Sequence, residues 1–125
     1  MTMRILDVGQ CGMDGPEITE LLSQKLGAKV DRAATATDAR RKLDVTTYDL
    51  VLVNRVLAAD GSSGIDLIDE LVRDGSGAPV MLVSDRQDAQ KAAIAKGAIR
   101  GFGKAELDDA KTFDLIKNAA RSASK

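Results

Sequence analysis

Few residues in this sequence have side chains suited to covalent chemistry. The chain has one cysteine, Cys11, which lies in a glycine-containing loop between the first predicted strand and a helix entrance. A thiol near a helix N-terminus ionises more readily and is then a stronger nucleophile. The chain has no histidine, so the commonest general base and the commonest transition-metal ligand are both missing. No arginine follows Cys11 within its loop, the next being Arg32, which argues against a phosphatase of the cysteine–loop–arginine type.

Three loop carboxylates are the candidates for a metal site. Asp14, Asp60 and Asp85 each follow a predicted strand, so we expect them near one edge of the sheet. Together they could rebuild an acidic site for a hard cation. Loop aspartates more often serve turns and helix caps, and the sequence leaves both interpretations open.

Composition excludes several classes of protein. The 125 residues are 44% hydrophobic and 30% charged, which is typical of one globular domain, and the 2% aromatic content requires an aliphatic core. A net charge of −1 gives no broad field for nucleic acid or for an acidic membrane surface. Without a membrane-length apolar run or a signal-peptide pattern, we expect a cytoplasmic location. A single cysteine also excludes an intramolecular disulfide.

Short β-rich runs alternate with longer runs of helical periodicity. The predicted strands are 4–8, 28–33, 49–54, 79–84 and 98–102, and the predicted helices are about 16–26, 38–43, 64–74, 86–96 and 108–121. Thr35 or Thr37 is predicted to cap the second helix, and Ser84 or Asp85 the fourth.

This alternation predicts a parallel sheet with helices on both faces, and hence an α/β fold. The commonest five-stranded solution is the flavodoxin-like (βα)5 fold with strand order 2-1-3-4-5. Its functional crevice lies where the order reverses, at the carboxyl ends of strands 1 and 3. Those ends fall at residues 8–10 and 53–55 in this sequence.

With these elements in place, the chain resembles the receiver domain of bacterial two-component response regulators. The resemblance covers nearly the whole chain and rests on DLVLVN, on GIDLI downstream of it, on PVMLVSD and on KGAIRGFGKAEL. It implies a signalling domain that takes a phosphoryl group on an aspartate at the end of strand 3. It also implies an acidic pair after strand 1 that helps to hold Mg²⁺, a Ser or Thr ending strand 4, and a Lys after strand 5.

The acceptor and metal positions depart from this pattern. By resemblance the phosphoacceptor falls on Asn54 and the acidic pair on Gly9 and Gln10. Formation of an aspartyl phosphate needs an ionised carboxylate as nucleophile, and Mg²⁺ prefers carboxylate ligands. None of the three residues provides one. A plainer interpretation of Asn54 is an amide that hydrogen-bonds loop backbone.

The remaining positions match only in part. The hydroxyl falls on Ser84 and the lysine on Lys104, as the resemblance requires. Ser84 is equally interpreted as a helix cap and Lys104 as a solvated charge. The strand-5 aromatic that reports phosphorylation falls on Gly101, and the proline after the lysine is Ala105. The loop after Asn54 is longer than usual.

We therefore expect residues 1–125 to form a single degenerate receiver, a pseudo-receiver that is not an enzyme and has no cofactor or bound metal. It would act by phosphorylation-independent binding of a signalling protein, a kinase or an output domain, as a stand-alone regulator or as part of a longer chain. The expected face comprises helix 4, strand 5 and helix 5. Its candidate exposed residues are Gln87, Gln90, Lys91, Arg100, Lys111 and Lys117.

A catalytic alternative rests on Cys11. Its place after the first strand resembles the phosphocysteine subunits of sugar phosphotransferase systems, which share the flavodoxin-like fold. In that alternative Cys11 would be the nucleophile of a phosphoryl carrier. A phosphothiol on Cys11 or Mg²⁺ binding in the crevice would distinguish a catalytic module from a binding module.

Overall fold

Five strands alternate with five helices along residues 2–75 and 77–123, the part of the chain that this computed structural model describes. The strands are β1 (Arg4–Val8), β2 (Lys29–Ala33), β3 (Leu50–Asn54), β4 (Val80–Val83) and β5 (Ile99–Phe102). The helices are α1 (Asp14–Leu26), α2 (Ala36–Val45), α3 (Gly64–Arg73), α4 (Gln87–Ala95) and α5 (Ala110–Ala123). A 3₁₀ turn, Lys104–Glu106, follows β5.

The strands form one parallel sheet in the order β2-β1-β3-β4-β5. This arrangement confirms the predicted flavodoxin-like fold. Val8 of β1 pairs with Val53 of β3, and Asn54 pairs with Val83 of β4. The carboxyl ends of the three central strands therefore meet at one edge of the sheet.

Aliphatic side chains bury both faces of the sheet. Leu6, Val8 and Val53 point to the side that α2, α3 and α4 cover. Ile5 and Leu52 point to the side covered by α1 and α5. Strands buried on both faces read as continuous apolar runs, which is why β3 has the sequence LVLV before Asn54. None of the helices in the described ranges is long and apolar enough to cross a membrane.

The predicted strand limits hold to within one residue, and the helix starts differ more. Helix α2 begins earlier than predicted because the Thr35 side chain accepts the Asp38 N–H at 3.2 Å. The predicted cap of α4 is wrong, since Arg86 holds the cap position without a side-chain cap bond. Ser84 instead accepts the Arg86 N–H one step before the helix, at 3.2 Å.

Candidate functional site at the carboxyl edge of the sheet

A cavity of about 320 Å³ lies at the carboxyl edge, above the ends of β3 and β4. It is lined by Asn54, Arg55, Val56, Val83, Ser84, Asp85, Arg86 and Lys104. Three of the predicted site residues, Asn54, Ser84 and Lys104, are thus brought together. Gly9, Gln10 and Gly101 do not line this cavity, and each has a separate structural setting.

The Asn54 amide bridges two strands and a loop. Its Nδ2 donates to the Gly9 carbonyl at 3.1 Å and to the Val56 carbonyl at 2.8 Å. The first bond joins the end of β3 to the end of β1, and the second fixes the start of the following loop. A carboxylate has no proton to donate and would face two carbonyl oxygens here. These contacts agree with the plainer interpretation of Asn54 as an amide that hydrogen-bonds loop backbone.

Gly9 has no room for an acidic side chain. Its φ is +79°, a conformation that favours glycine, and an added Cβ would lie 2.3 Å from Leu57 Cδ2. Leu57 is fully buried, and the next residue, Ala58, donates its N–H to the Gly9 carbonyl at 3.0 Å. The space beside Gly9 is thus filled by a leucine of the loop after β3.

Residues 55–63 form a loop whose internal hydrogen bonds hold Leu57 in place. The Leu57 N–H donates to the Ser62 carbonyl at 2.9 Å, and its carbonyl accepts the Gly61 N–H at 2.7 Å. Asp60 accepts both the N–H and the hydroxyl of Ser62 at 3.0 and 2.6 Å, and the hydroxyl bond lowers its pKa. Asp60 is therefore a turn residue, one of its two predicted interpretations.

Gln10 lies beside a buried acid, Asp7, for which no sequence motif predicts a role. Asp7 is 1% exposed and Gln10 is 8% exposed. Neither the Asp7 carboxyl nor the Gln10 amide meets hydrogen-bond geometry with any residue in the described ranges. Burial raises the Asp7 pKa to about 7, while the nearby Gln10 side chain and the charges of Arg32 and Lys104 oppose the rise. A lone acid within the apolar run of a central strand is the sequence signal for this group.

Lys104 forms an ion pair with an acid on another element. Its Nζ lies 2.7 Å from Asp14 Oδ2 at the start of α1. The hydrogen bond from Lys104 lowers the Asp14 pKa, and a weaker one from Cys11 adds to this. The pair links the turn after β5 to the first turn of α1.

The Cys11 thiol belongs to the same cluster. Its Sγ accepts the Asp14 N–H and donates to the Asp14 carboxylate, both at 3.3 Å. Cys11 is therefore bonded to the first residue of α1, whose N-cap position is Met13. A phosphoryl group on this sulfur would face the Asp14 carboxylate, and like charges repel.

Asp85 and Ser84 also make local contacts. Asp85 Oδ1 accepts the Ala105 N–H at 3.3 Å, which ties the end of β4 to the turn after β5. The three loop acids, Asp14, Asp60 and Asp85, thus lie in three separate polar clusters. Across residues 2–75 and 77–123, no three His, Cys, Asp or Glu side chains are close enough together to hold a metal ion.

Gly101 and Gln90 form a buried contact at β5. An added Cβ on Gly101 would lie 2.0 Å from the Leu82 carbonyl oxygen, so a larger residue does not fit. The Gly101 N–H donates to Gln90 Oε1 at 3.1 Å. The prediction that Gln90 is exposed is wrong, because its side chain is buried between α4 and the sheet.

The comparisons with known proteins find similarity at the level of the fold. No family model matches the chain, and no curated protein matches it. Among solved structures, NtrX from Brucella abortus superposes with a TM-score of 0.85 at 22% identity, over 99% of this chain and 28% of NtrX. The receiver domain of TorR, a response regulator of the TMAO respiratory system, gives 0.82 at 20% identity, over 97% of this chain and 98% of that one. A CheY-like receiver domain protein from Methanospirillum hungatei JF-1 gives 0.72 at 18% identity, over 99% and 95%. The fold is that of a response-regulator receiver domain.

The Asn54 contacts predict a cost for the substitution that would restore an acceptor. Asn54→Asp should lower the free energy of unfolding at pH 7 by about 1–3 kcal/mol, because both donors are lost and two carbonyls then face a carboxylate. Chemical denaturation measures the change. Gln87→Glu is the matched control, because Gln87 is an exposed amide on α4. An Asn54→Asp variant as stable as the wild type would contradict the hydrogen-bond assignment.

The burial of Asp7 predicts a pH-dependent stability. The folded-state pKa of about 7 exceeds the 3.8 of an unperturbed aspartate, so the folded state holds the proton more tightly than the unfolded state. Stability should therefore fall as pH rises from about 4 to about 7 and stay low above that. Asp7→Asn should remove this decline, making the variant more stable than the wild type at pH 8 and similar near pH 4. Urea denaturation across this range tests it, and parallel profiles for the two proteins would show that Asp7 is not the group.

Proposed function

We propose that residues 1–125 form a receiver-like signalling module that works without aspartyl phosphorylation, by binding another protein. The observation that carries this proposal is the Asn54 amide, which sits at the acceptor position and donates to the Gly9 and Val56 carbonyls. An amide with this bonding is neither ionised nor available as a nucleophile.

Among the described residues, the surroundings of Asn54 also lack a cluster of ligands for a metal ion. Charge on a transferring phosphoryl group must be neutralised, usually by a metal ion held on oxygen ligands. Gly9 has Leu57 beside it, and Gln10 provides only a neutral amide. Lys104 is already paired with Asp14. On this basis we propose that the module is not an enzyme and needs no cofactor.

Receiver domains of response regulators interact with kinases and output domains, and we propose a protein partner of this kind here. The proposed face comprises α4, β5 and α5. Lys91, Arg100, Lys111 and Lys117 are all exposed on these elements. Exposed acids such as Asp88 and Asp114 lie on the same helices, so the set is mixed but locally basic, and an acidic or amphipathic protein segment is complementary to it.

The contacts of Cys11 do not favour the phosphoryl-carrier alternative. Its sulfur is bonded to the N–H and the carboxylate of Asp14 at the start of α1. That carboxylate opposes an incoming phosphoryl group, and the Lys104 charge beside it is already paired.

Phosphorylation of the wild-type chain is the direct test of this proposal. Incubation with acetyl phosphate and Mg²⁺ should give no acyl phosphate, because the nucleophile and the metal carboxylates are both missing. Intact-mass spectrometry before and after hydroxylamine treatment detects such an adduct. A hydroxylamine-labile phosphoryl group on the wild-type chain would contradict the proposal.

A matched pair of variants tests why the wild-type chain should form no acyl phosphate. Asn54→Asp with Gly9→Asp and Gln10→Asp restores three carboxylates but keeps Leu57 against position 9. Adding Leu57→Ala removes the closest contact but leaves the positive φ of position 9, so we expect more adduct in the fourfold variant than in the threefold one. Efficient labelling of Asn54→Asp alone would show that other acids, such as Asp14, already bind the metal.

Charge reversal tests the proposed face once a partner has been isolated. Lys91→Glu, Arg100→Glu and Lys111→Glu together should weaken binding at least about tenfold, because the cations would then repel an acidic segment. All three side chains are exposed, so the thermal midpoint should barely change. Unchanged affinity would exclude this face and direct the search to α1 or the crevice loops.

A further inference from the structure

The buried amide of Gln90 joins three elements. Gln90 lies on α4 and is 4% exposed. Its Nε2 donates to the carbonyl of Leu82 in β4 at 2.9 Å and to the carbonyl of Ser84 just after β4 at 3.0 Å. Its Oε1 accepts the N–H of Gly101 in β5 at 3.1 Å. Both amide hydrogens and the amide oxygen are thus bonded to backbone.

The sheet is irregular where Gln90 binds it. Met81 pairs with Ile99 and Val83 with Phe102, so a single β4 residue lies opposite two β5 residues. Such a bulge takes one residue out of the regular ladder. Gly101 lies in this bulge, and Gln90 binds its N–H. The closeness of Gly101 to the Leu82 carbonyl leaves no room for a side chain there.

We infer that Gln90 is a positioning residue that holds α4 against β4 and β5 in a single conformation, and so fixes the proposed partner face. This inference rests on the proposed function. In the receivers that the chain resembles, the residue ending strand 4 and the strand-5 aromatic shift between two states. Here Ser84 and Gly101 occupy those positions, and one side chain binds the backbone of both. Moving α4 would leave a buried amide and its partners unsatisfied, which makes a second state unfavourable.

The face that Gln90 fixes is both apolar and cationic. Ile94 of α4 is 43% exposed and Ile99 of β5 is 37% exposed. Lys91 and Arg100 are exposed on the same two elements. Exposed isoleucines and cations on the same two elements suit a protein segment that carries apolar and acidic side chains together. A face held in one state is fully populated for such a partner without any activating signal.

Amide hydrogen exchange of the whole chain tests the role of Gln90 without needing a partner. Gln90→Met keeps the length of the side chain but removes all three hydrogen bonds. We expect the amides of α4 and β5 to exchange at least about tenfold faster than in the wild type, while those of β1 and β3 keep their protection. Gln87→Met is the matched control, since Gln87 is exposed on the same helix. It should leave exchange in α4 at the wild-type rate.

A second variant keeps the test decisive if Gln90→Met folds poorly. Gln90→Glu, studied at about pH 5 so that burial keeps its carboxyl protonated, retains an acceptor for the Gly101 N–H and one donor to β4. Exchange in α4 should then be faster than in the wild type, while Gly101 stays protected. Exchange in α4 of the variants at the wild-type rate would overturn the inference. Equal acceleration of exchange in all five strands would also overturn it, because Gln90 would then contribute only to global stability. Phosphorylation of the wild type would contradict the proposed function but not this exchange pattern, so the two failures are distinguishable.

Discussion

The hydrogen bonds from the Asn54 amide to the Gly9 and Val56 carbonyls determine the chemistry of the crevice. Two carbonyl oxygens converge on one point, and only a donor satisfies both. The same loop path that brings the Val56 carbonyl to Asn54 also brings Leu57 against Gly9. Asn54, Gly9 and the loop after β3 are therefore parts of one arrangement.

Three charged residues around the crevice, Lys104, Asp14 and Asp85, make local contacts. Lys104 is paired with Asp14, and Asp85 binds the Ala105 N–H across the turn after β5. These contacts tie α1, β4 and the 3₁₀ turn together at the edge of the sheet. Asp7 is the exception, since it is buried in β1 without a hydrogen bond among the described residues. Its raised pKa makes it a cost to stability near neutral pH.

The sequence predicts the fold well, because strongly apolar strands alternate with amphipathic helices and the hydrophobic periodicity distinguishes the two. It also places Asn54, Ser84 and Lys104 at a shared edge, since the carboxyl ends of parallel strands meet there. Leu57 and Gln90 are not predictable in the same way. A leucine in a polar loop and a glutamine on a helix are both expected at the surface. Only tertiary contacts show that Leu57 packs against Gly9 and that Gln90 binds the backbone of β4 and β5. The Asp14 partner of Lys104 is unpredictable for the same reason, because Asp14 lies on another element.

We propose that this crevice has no phosphoryl-bound state. The most direct test is a titration of the ¹⁵N-labelled chain with Mg²⁺ and beryllofluoride, which mimics an acyl phosphate. The amides of Gly9, Asn54, Ser84 and Gly101 report on the crevice and on β5. We predict that their NMR resonances stay in place at millimolar concentrations of both ions, because no carboxylate is present at the acceptor position. Saturable, Mg²⁺-dependent shifts that extend from Asn54 to Gly101 would contradict this account.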